Sequence, residues 1–395
     1  MVPAPDPVPS IHWLENGAAC AALWRSHSDA PPAARVVVAD ERMTADEAYG
    51  LACQGTALLW RGDFQQARRM LSALGNRADR AQRRARAVAA ASTDGPAAAF
   101  HRYRQARSQR ARTLNALLIP LNDDYTIPLQ RAPDIRQACA EAYGPATTAS
   151  VASLRALLGV IGAHEWRVRG IELPEAGGRI HPHFGVFAPI RREYVDLVAS
   201  TPLPAACAAA SLAFDIGTGS GVLAAVLARR GIERVIATDL DPRALACARE
   251  NVGRLGLADR IDVVCADLFP EGRAALVVCN PPWIPARPSS PMESGVYDPD
   301  SRMLRGFLRG LPQHLRPGGE GWLILSDLAE HLGLRTRAQL LDAFEAAGLC
   351  VVGRSDVPPR HPRAADQTDP LHSARAAEVT SLWRLGVKSQ DVIPG

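Results

Sequence analysis

The stretch Phe214-Asp215-Ile216-Gly217-Thr218-Gly219-Ser220-Gly221 constrains this 395-residue chain more than any other. An apolar run that ends in alternating glycines reads as a buried strand followed by a tight turn, because glycine takes left-handed backbone without steric cost. From there apolar runs and helical periods alternate. Strands are expected over 212–216, 234–239, 261–266, 276–280, 321–326, 350–354 and 379–385. Helices are expected over 222–230, 242–255 (with Pro242 at its first turn), 303–315 and 338–347. Such alternation implies an α/β fold, a parallel sheet with helices on both faces. Ligands of such sheets bind beyond the carboxyl ends of the strands, where the strand order reverses.

Upstream of that domain the expectation differs. Residues 1–149 read as a mainly helical domain. Apolar residues keep helical spacing over 44–74, where Thr44 can cap with Glu47, and a second helix is expected over 97–118. Residues 92–96 read as a break. A bridge over 150–200 should hold a helix at 150–161 and a β-hairpin of 166–173 and 179–187, turning at 175–178. The alternating α/β domain would then occupy 201–395. His181 and His183 share a face of that hairpin. They could hold a metal, but no third ligand is suggested, and a strand-surface or pocket-lining role fits them better.

Composition excludes several classes. Hydrophobic residues make up 47% and mean hydropathy is -0.07, so the chain can bury a core. No run approaches the roughly 18 apolar residues of a membrane span. Met1 to Ser10 lacks the basic and apolar regions of a secretory signal. The eight cysteines form no Cys-x-x-Cys pair, which argues against a zinc site or disulfide framework and fits a reducing cytoplasm. From Arg61 to Arg112 there are 13 arginines against Asp63, Asp79 and Asp94, while Lys388 is the one lysine. Two readings of that cluster stay open, a solvated helix face in an arginine-biased chain and a phosphate- or RNA-facing patch.

The candidate site residues stand at successive strand ends. Gly217, Gly219 and Gly221 let the backbone approach a ligand closely. Dinucleotide dehydrogenases have such a loop too, but Val222 stands where their pattern wants a further glycine. Asp215 can face a cationic ligand or hold the loop. Asp239, 18 residues after Gly221, can accept both hydroxyls of a ribose. Asp267 can accept from an adenine amino group, with Leu268 against the ring. Asn280-Pro281-Pro282-Trp283 follows the fourth strand. There the Asn280 oxygen and the Pro281 carbonyl can accept the two N–H groups of a planar nitrogen, while Pro281 and Pro282 stiffen the loop. Trp283 offers a flat face for stacking.

On these motifs, residues from Phe187 to about Leu385 resemble the class I S-adenosylmethionine-dependent methyltransferases. They are most similar to the small-domain branch that includes the HemK-type release-factor glutamine methyltransferases. Phe187-Ala188-Pro189 resembles the segment that covers the methionine end of the cofactor, and Leu315-Arg316-Pro317-Gly318-Gly319 the turn before the fifth strand. The family's usual motif is Asn-Pro-Pro-Tyr or Asn-Pro-Pro-Phe, so Trp283 is a departure. Tyr297-Asp298-Pro299 resembles a Tyr-Glu-Pro element of the glutamine branch, whose following Gly-Gly-x-Asp-Gly element is not matched.

The resemblance implies a Rossmann-like, mostly parallel seven-stranded sheet, preceded by the helical N-terminal domain and the bridging hairpin. It also implies S-adenosylmethionine bound by Phe187, Pro189, Asp215, Gly217, Thr218, Gly219, Gly221, Asp239, Leu240, Asp267, Leu268 and Asn280. Methyl transfer at Asn280, Pro281, Pro282 and Trp283 would follow, with no metal. Three acceptors stay open: a glutamine-like amide in a protein, an exocyclic amine of RNA or DNA with Arg61–Arg112 on its phosphates, or a small molecule of specialised metabolism. A non-catalytic scaffold that keeps only the cofactor fold is the remaining alternative.

Overall fold

The computed structural model describes residues 9–26, 30–89, 95–209, 211–288, 293–360 and 362–388. It divides into one unit of residues 1–94 and 101–165 and a second of 95–100 and 166–395.

The first unit is not mainly helical, which corrects the expectation from sequence. It holds a six-stranded sheet of β1 (Ser10–Glu15), β2 (Ala18–Arg25), β3 (Arg35–Ala39), β4 (Thr56–Trp60), β5 (Leu117–Leu121) and β6 (Ser150–Ser153), in the order β1-β2-β6-β5-β4-β3. The physical reason lies in β4 and β5. Each is five residues long and buried at every position. A short, uniformly apolar run has neither the period of a helix nor that of a strand. The expected 44–74 helix is interrupted at Gly55, whose φ of 82° reverses the chain between helix Ala45–Cys53 and β4. The Thr44 cap does form, its Oγ1 accepting from the Glu47 N–H at 3.3 Å. Pro120 sits in β5 without cost to the ladder because β4 pairs only as far as Leu118.

Two long helices, Phe64–Ala89 and Pro96–Asn115, lie between β4 and β5. Most of the expected break at 92–96 falls outside the described residues. The expected helix at 150–161 begins later, since 150–153 form β6, and it runs Leu154–Arg169. It thereby absorbs 166–169 of the expected strand. The hairpin exists but is short. β7 (Ile171–Leu173) pairs with β8 (Gly178–Ile180) around Gly177, which takes a φ of 80°.

In the second unit the α/β expectation is met. Its sheet comprises β9 (Leu212–Ile216), β10 (Arg234–Asp239), β11 (Ile261–Cys265), β12 (Ala274–Cys279), β13 (Leu315–Ser326), β14 (Leu349–Val357) and β15 (Thr380–Val387). The order is β11-β10-β9-β12-β13-β15-β14, and every pair is parallel except those made by β15. The chain moves outward from β9 through β10 and β11, then returns to the other side of β9 with β12. That reversal is the switch point. Helices Val222–Arg229 and Pro242–Arg254 cover one face and Arg302–His314 and Arg337–Ala346 the other, over two apolar layers centred on Val226 and Phe307. β13 starts six residues earlier than expected, because the Pro317-Gly318-Gly319 turn is carried in the strand as an irregularity opposite Ala274 and Leu276. Gly319 is needed there: a Cβ would lie 2.8 Å from the Ala275 carbonyl oxygen.

Burial in the first sheet gives a direct test. Leu58 in β4 is fully buried, whereas Leu14 in the edge strand β1 is 71% exposed. Leu58→Ala should lower the unfolding free energy by about 2–5 kcal/mol in urea denaturation, and Leu14→Ala should change it by about 0.5 kcal/mol or less. Equal effects of the two would contradict the assignment of β4 to the core.

Candidate functional site

Asp215 stands at the end of β9 and is 1% exposed. Its Oδ2 accepts from the Thr218 hydroxyl at 2.6 Å and from the Ala224 N–H at 3.0 Å. One carboxylate thus ties the strand to the glycine loop and to the first turn of helix Val222–Arg229. Burial pushes this carboxyl up to about 6, against the two hydrogen bonds that lower it and with the Asp239 charge adding to the rise. The loop closes through Gly217, Gly219 and Gly221, at φ 69°, 55° and 80°. Gly221 also admits helix Pro242–Arg254, since its Cβ would lie 3.3 Å from the Ala248 Cα. Nothing lies within 4 Å of a Cβ built on Gly219, which faces open space.

Asp239 ends β10. Its Oδ2 accepts from the Gly219 N–H at 3.0 Å and its Oδ1 from the Asp241 N–H at 3.0 Å. Beyond β11, Leu268 takes a left-handed φ of 71°, and its carbonyl accepts from the Thr238 hydroxyl at 2.5 Å. Asp267 beside it is exposed, 4.0 Å from the Arg302 guanidinium. A parallel bridge from Ile284 to Tyr297 draws the Tyr297-Asp298-Pro299 element into the same mouth. Both Asp298 oxygens accept there from the Met303 and Leu304 N–H groups, at 3.0 and 3.1 Å, and cap the start of helix Arg302–His314.

Asn280 follows β12. Its Oδ1 accepts from the Trp283 Nε1–H at 2.8 Å. An indole nitrogen can only donate, so this bond fixes which end of the carboxamide is oxygen. Trp283 packs against the apolar layers on both faces of the sheet. The Arg191 guanidinium lies over its ring, 5.5 Å from the centroid. Arg191 in turn donates to both oxygens of Glu378, at 2.8 and 3.3 Å. The Glu378 side chain is fully buried and also accepts from the Ser326 hydroxyl at 2.7 Å.

The pair Arg191 and Glu378 was not found from sequence. The two lie 187 positions apart. A lone acidic residue directly before the expected strand 379–385 was the one available sign.

A cavity of about 610 Å³ opens at the switch point. The structure brings Phe187, Asp215, Gly217, Thr218, Gly219, Asp239, Leu240, Asp267, Leu268, Asn280 and Pro282 to its wall, together with Tyr194 and Asp298. Pro189, Gly221, Pro281 and Trp283 are not on the wall. Nor are His181 and His183, which follow β8. The His181 N–H donates to the Asn251 Oδ1 at 2.8 Å, and the His183 Nε2 lies 2.6 Å from a Glu250 oxygen. Asn251 also donates to the Ser220 carbonyl at 3.0 Å, so these histidines fasten the hairpin exit to helix Pro242–Arg254. Among the described residues no group of three or more His, Cys, Asp or Glu is placed to hold a metal, and no helix is long and apolar enough to cross a membrane.

Comparison with known proteins gives a match of residues 203–284 to the family model for ribosomal protein L11 methyltransferase (PrmA). The chain is 37% identical over 153 residues to the release factor glutamine methyltransferase of Cereibacter sphaeroides, covering 35% of this chain and 52% of that one. It is 38% identical over 146 residues to the ribosomal protein L11 methyltransferase of Pelotomaculum thermopropionicum, covering 36% and 39%. The chain therefore spans about half or less of these relatives. A SAM-dependent methyltransferase from Geobacter sulfurreducens, solved with S-adenosyl-L-homocysteine, aligns over 54% of this chain and 96% of its own at 20% identity, with a TM-score of 0.34.

Two measurements test the site's supports. The Asp215 carboxyl, at about 6 folded against 3.8 unfolded, keeps its proton longer in the folded state. Its contribution to stability is full below pH 4 and is lost as pH rises to 6, by about 3 kcal/mol for a shift of about two units. Asp215→Asn should remove that part of the decline, read by urea denaturation at pH 4, 5, 6 and 7. Parallel profiles would contradict it. Separately, Arg191→Met should destabilise by about 3–5 kcal/mol, because it removes the cation that faces the buried Glu378 carboxylate. Combined with Glu378→Gln, the loss should fall short of the sum of the single losses by about 1 kcal/mol or more. Strict additivity would mean the two groups do not act as a pair.

Proposed function

We propose that this chain, whose second unit has the class I methyltransferase fold, transfers a methyl group from S-adenosylmethionine to a planar nitrogen, and that this nitrogen is a glutamine-like amide of a protein. The observation that carries the reading is the Asn280 carboxamide, on the cavity wall directly after β12 with its oxygen located by Trp283. A carbonyl oxygen accepts two hydrogen bonds, and Trp283 uses one. The other remains for an acceptor N–H. An amide nitrogen is a poor nucleophile because its lone pair is delocalised. Holding one of its N–H groups on the Asn280 oxygen would orient the lone pair and stabilise positive charge as it develops. The two curated relatives point the same way: both are named for methylating proteins, and one for methylating glutamine.

The residues present suit the cofactor. The cavity volume is in the range of small-molecule sites. The open space at Gly219 is where a ligand could approach the backbone. Asp239 keeps lone pairs for ribose hydroxyls beyond the two N–H groups it already accepts. Asp267 would take the adenine amino group, with Leu240 and Leu268 as apolar walls. Phe187 would cover the opposite end. When bound, the cofactor supplies a methyl group on a positively charged sulfur. Asp298 is poorly suited to act as a base, since both of its oxygens already cap a helix. No base is required before transfer, because the proton can leave the alkylated nitrogen afterwards. A base amine as acceptor has less support, since Trp283 is off the wall and Arg191 covers one of its faces.

The test combines a binding and a labelling measurement. By calorimetry the chain should bind S-adenosylmethionine, and Asp239→Ala should weaken binding about tenfold or more. With methyl-labelled cofactor and a lysate from cells lacking the protein, label should enter protein. Asn280→Ala should leave cofactor affinity nearly intact and slow that labelling about a hundred- to a thousandfold. Absence of cofactor binding would overturn the whole reading. Label confined to RNA, DNA or small molecules would overturn the acceptor.

A further inference from the structure

The helices Phe64–Ala89 and Pro96–Asn115 take no part in the site described above. Together they carry 12 arginines and one acidic residue, Asp79. The remainder of the chain has 33 basic and 40 acidic residues, so the formal charge of +4 hides a separation of +11 from −7. A uniform arginine bias of coding would not produce that separation. It would enrich arginine throughout, without removing acids from two helices.

The helices lie side by side. The Gln82 amide donates to the Ala106 carbonyl at 2.7 Å, and Arg110 pairs with Asp79 at 2.6 Å. Arg77 pairs with Asp46 of the neighbouring helix. Of the other described arginines, most are exposed, while Arg104 is half-buried. Arg69, Asn76, Arg80 and Arg83 are exposed and fall on one face at 100° per residue, a line of about 21 Å from first to last. Gln105, Gln109 and Arg112 are exposed along the second helix. Tyr103 is half-buried there with the Arg107 guanidinium 5.7 Å from its ring centroid.

We infer that this helix pair is a docking surface for single-stranded RNA. Guanidinium groups pair with phosphates through two N–H donors at once, and arginine and tyrosine planes stack on bases. The exposed Asn76, Gln105 and Gln109 offer donors and acceptors suited to ribose 2′-hydroxyls. A membrane surface would need apolar side chains beside the arginines. Here the apolar side of the first helix, Phe64, Ala67, Met70, Leu74 and Ala78, is buried instead. RNA is a docking partner in this inference and not the methyl acceptor, so it does not depend on the chemistry proposed for the cavity.

The test uses the full chain and a fluorescein-labelled 20-nucleotide single-stranded RNA of mixed sequence, followed by anisotropy from 50 to 300 mM NaCl. The wild type should bind with a steep salt dependence. The triple variant R69Q/R80Q/R83Q should bind at least about tenfold more weakly at 100 mM salt. Its slope of log affinity on log salt should fall by about 2, from about 0.7 for each lost phosphate contact. The three side chains are exposed, so far-UV circular dichroism and thermal unfolding should match the wild type. R69K/R80K/R83K should keep the slope. No RNA binding by the wild type, an unchanged slope in the glutamine variant, or equally tight binding of poly-glutamate or single-stranded DNA would overturn the inference.

Discussion

The buried carboxylate of Asp215 is the constraint on which the site is built. A charge in the core is tolerated only when its hydrogen bonds are met within the protein, and the Thr218 hydroxyl and the Ala224 N–H meet them. Those two donors come from opposite ends of the glycine loop. Holding both draws the loop into its left-handed turns and sets helix Val222–Arg229 against β9. The turn then presents the Gly219 N–H, and that group orients Asp239 at the end of the next strand. The arrangement of two strand ends therefore follows from one buried group.

The other side of the switch point is held differently. Asn280 is located by a donor that cannot act as an acceptor, the Trp283 indole. The ring is held in turn by apolar packing below and the Arg191 guanidinium above. Arg191 is fixed by Glu378, which has no exposure to water. A tyrosine or phenylalanine ring would have no N–H in that place. Trp283 thus locates the carboxamide through its indole N–H, and through Arg191 and Glu378 it links the segment after Pro189 to the start of β15. One wall rests on carboxylates receiving backbone donors, the other on an aromatic ring between a cation and the core.

Much of the second unit was legible because its signals are local. The glycine turn, the alternation of periods and Pro242 at a helix start each depend on a few adjacent residues. They gave five strand positions to within two residues at each end, among them β9 and β10. The first unit was not legible in the same way. β4 and β5 are apolar at nearly every position, so no period distinguishes them from buried helix, and β6 is four residues of mixed character. In the site, residues at strand ends could be named from their spacing. Arg191 and Glu378 could not, because their pairing depends on β15 running antiparallel beside β13. Asp215 was read as facing a cationic ligand or holding the loop, and Asp239 as accepting ribose hydroxyls. The structure shows that both hold the loop.

The pairing of β2 with β6 has a consequence for how the first unit is made. β2 lies near the beginning of the chain, yet its inner neighbour is the last strand of its sheet, Leu23 facing Ser150. Synthesis at about 5–20 residues per second leaves β1 and β2 waiting on the order of ten seconds for that neighbour to emerge. During this interval β2 has an unpaired edge, and its only partner is β1. The interior strands β4 and β5 are completed before β6 exists. On the ribosome the sheet must therefore assemble from separate pieces, and β6 is the strand that joins them.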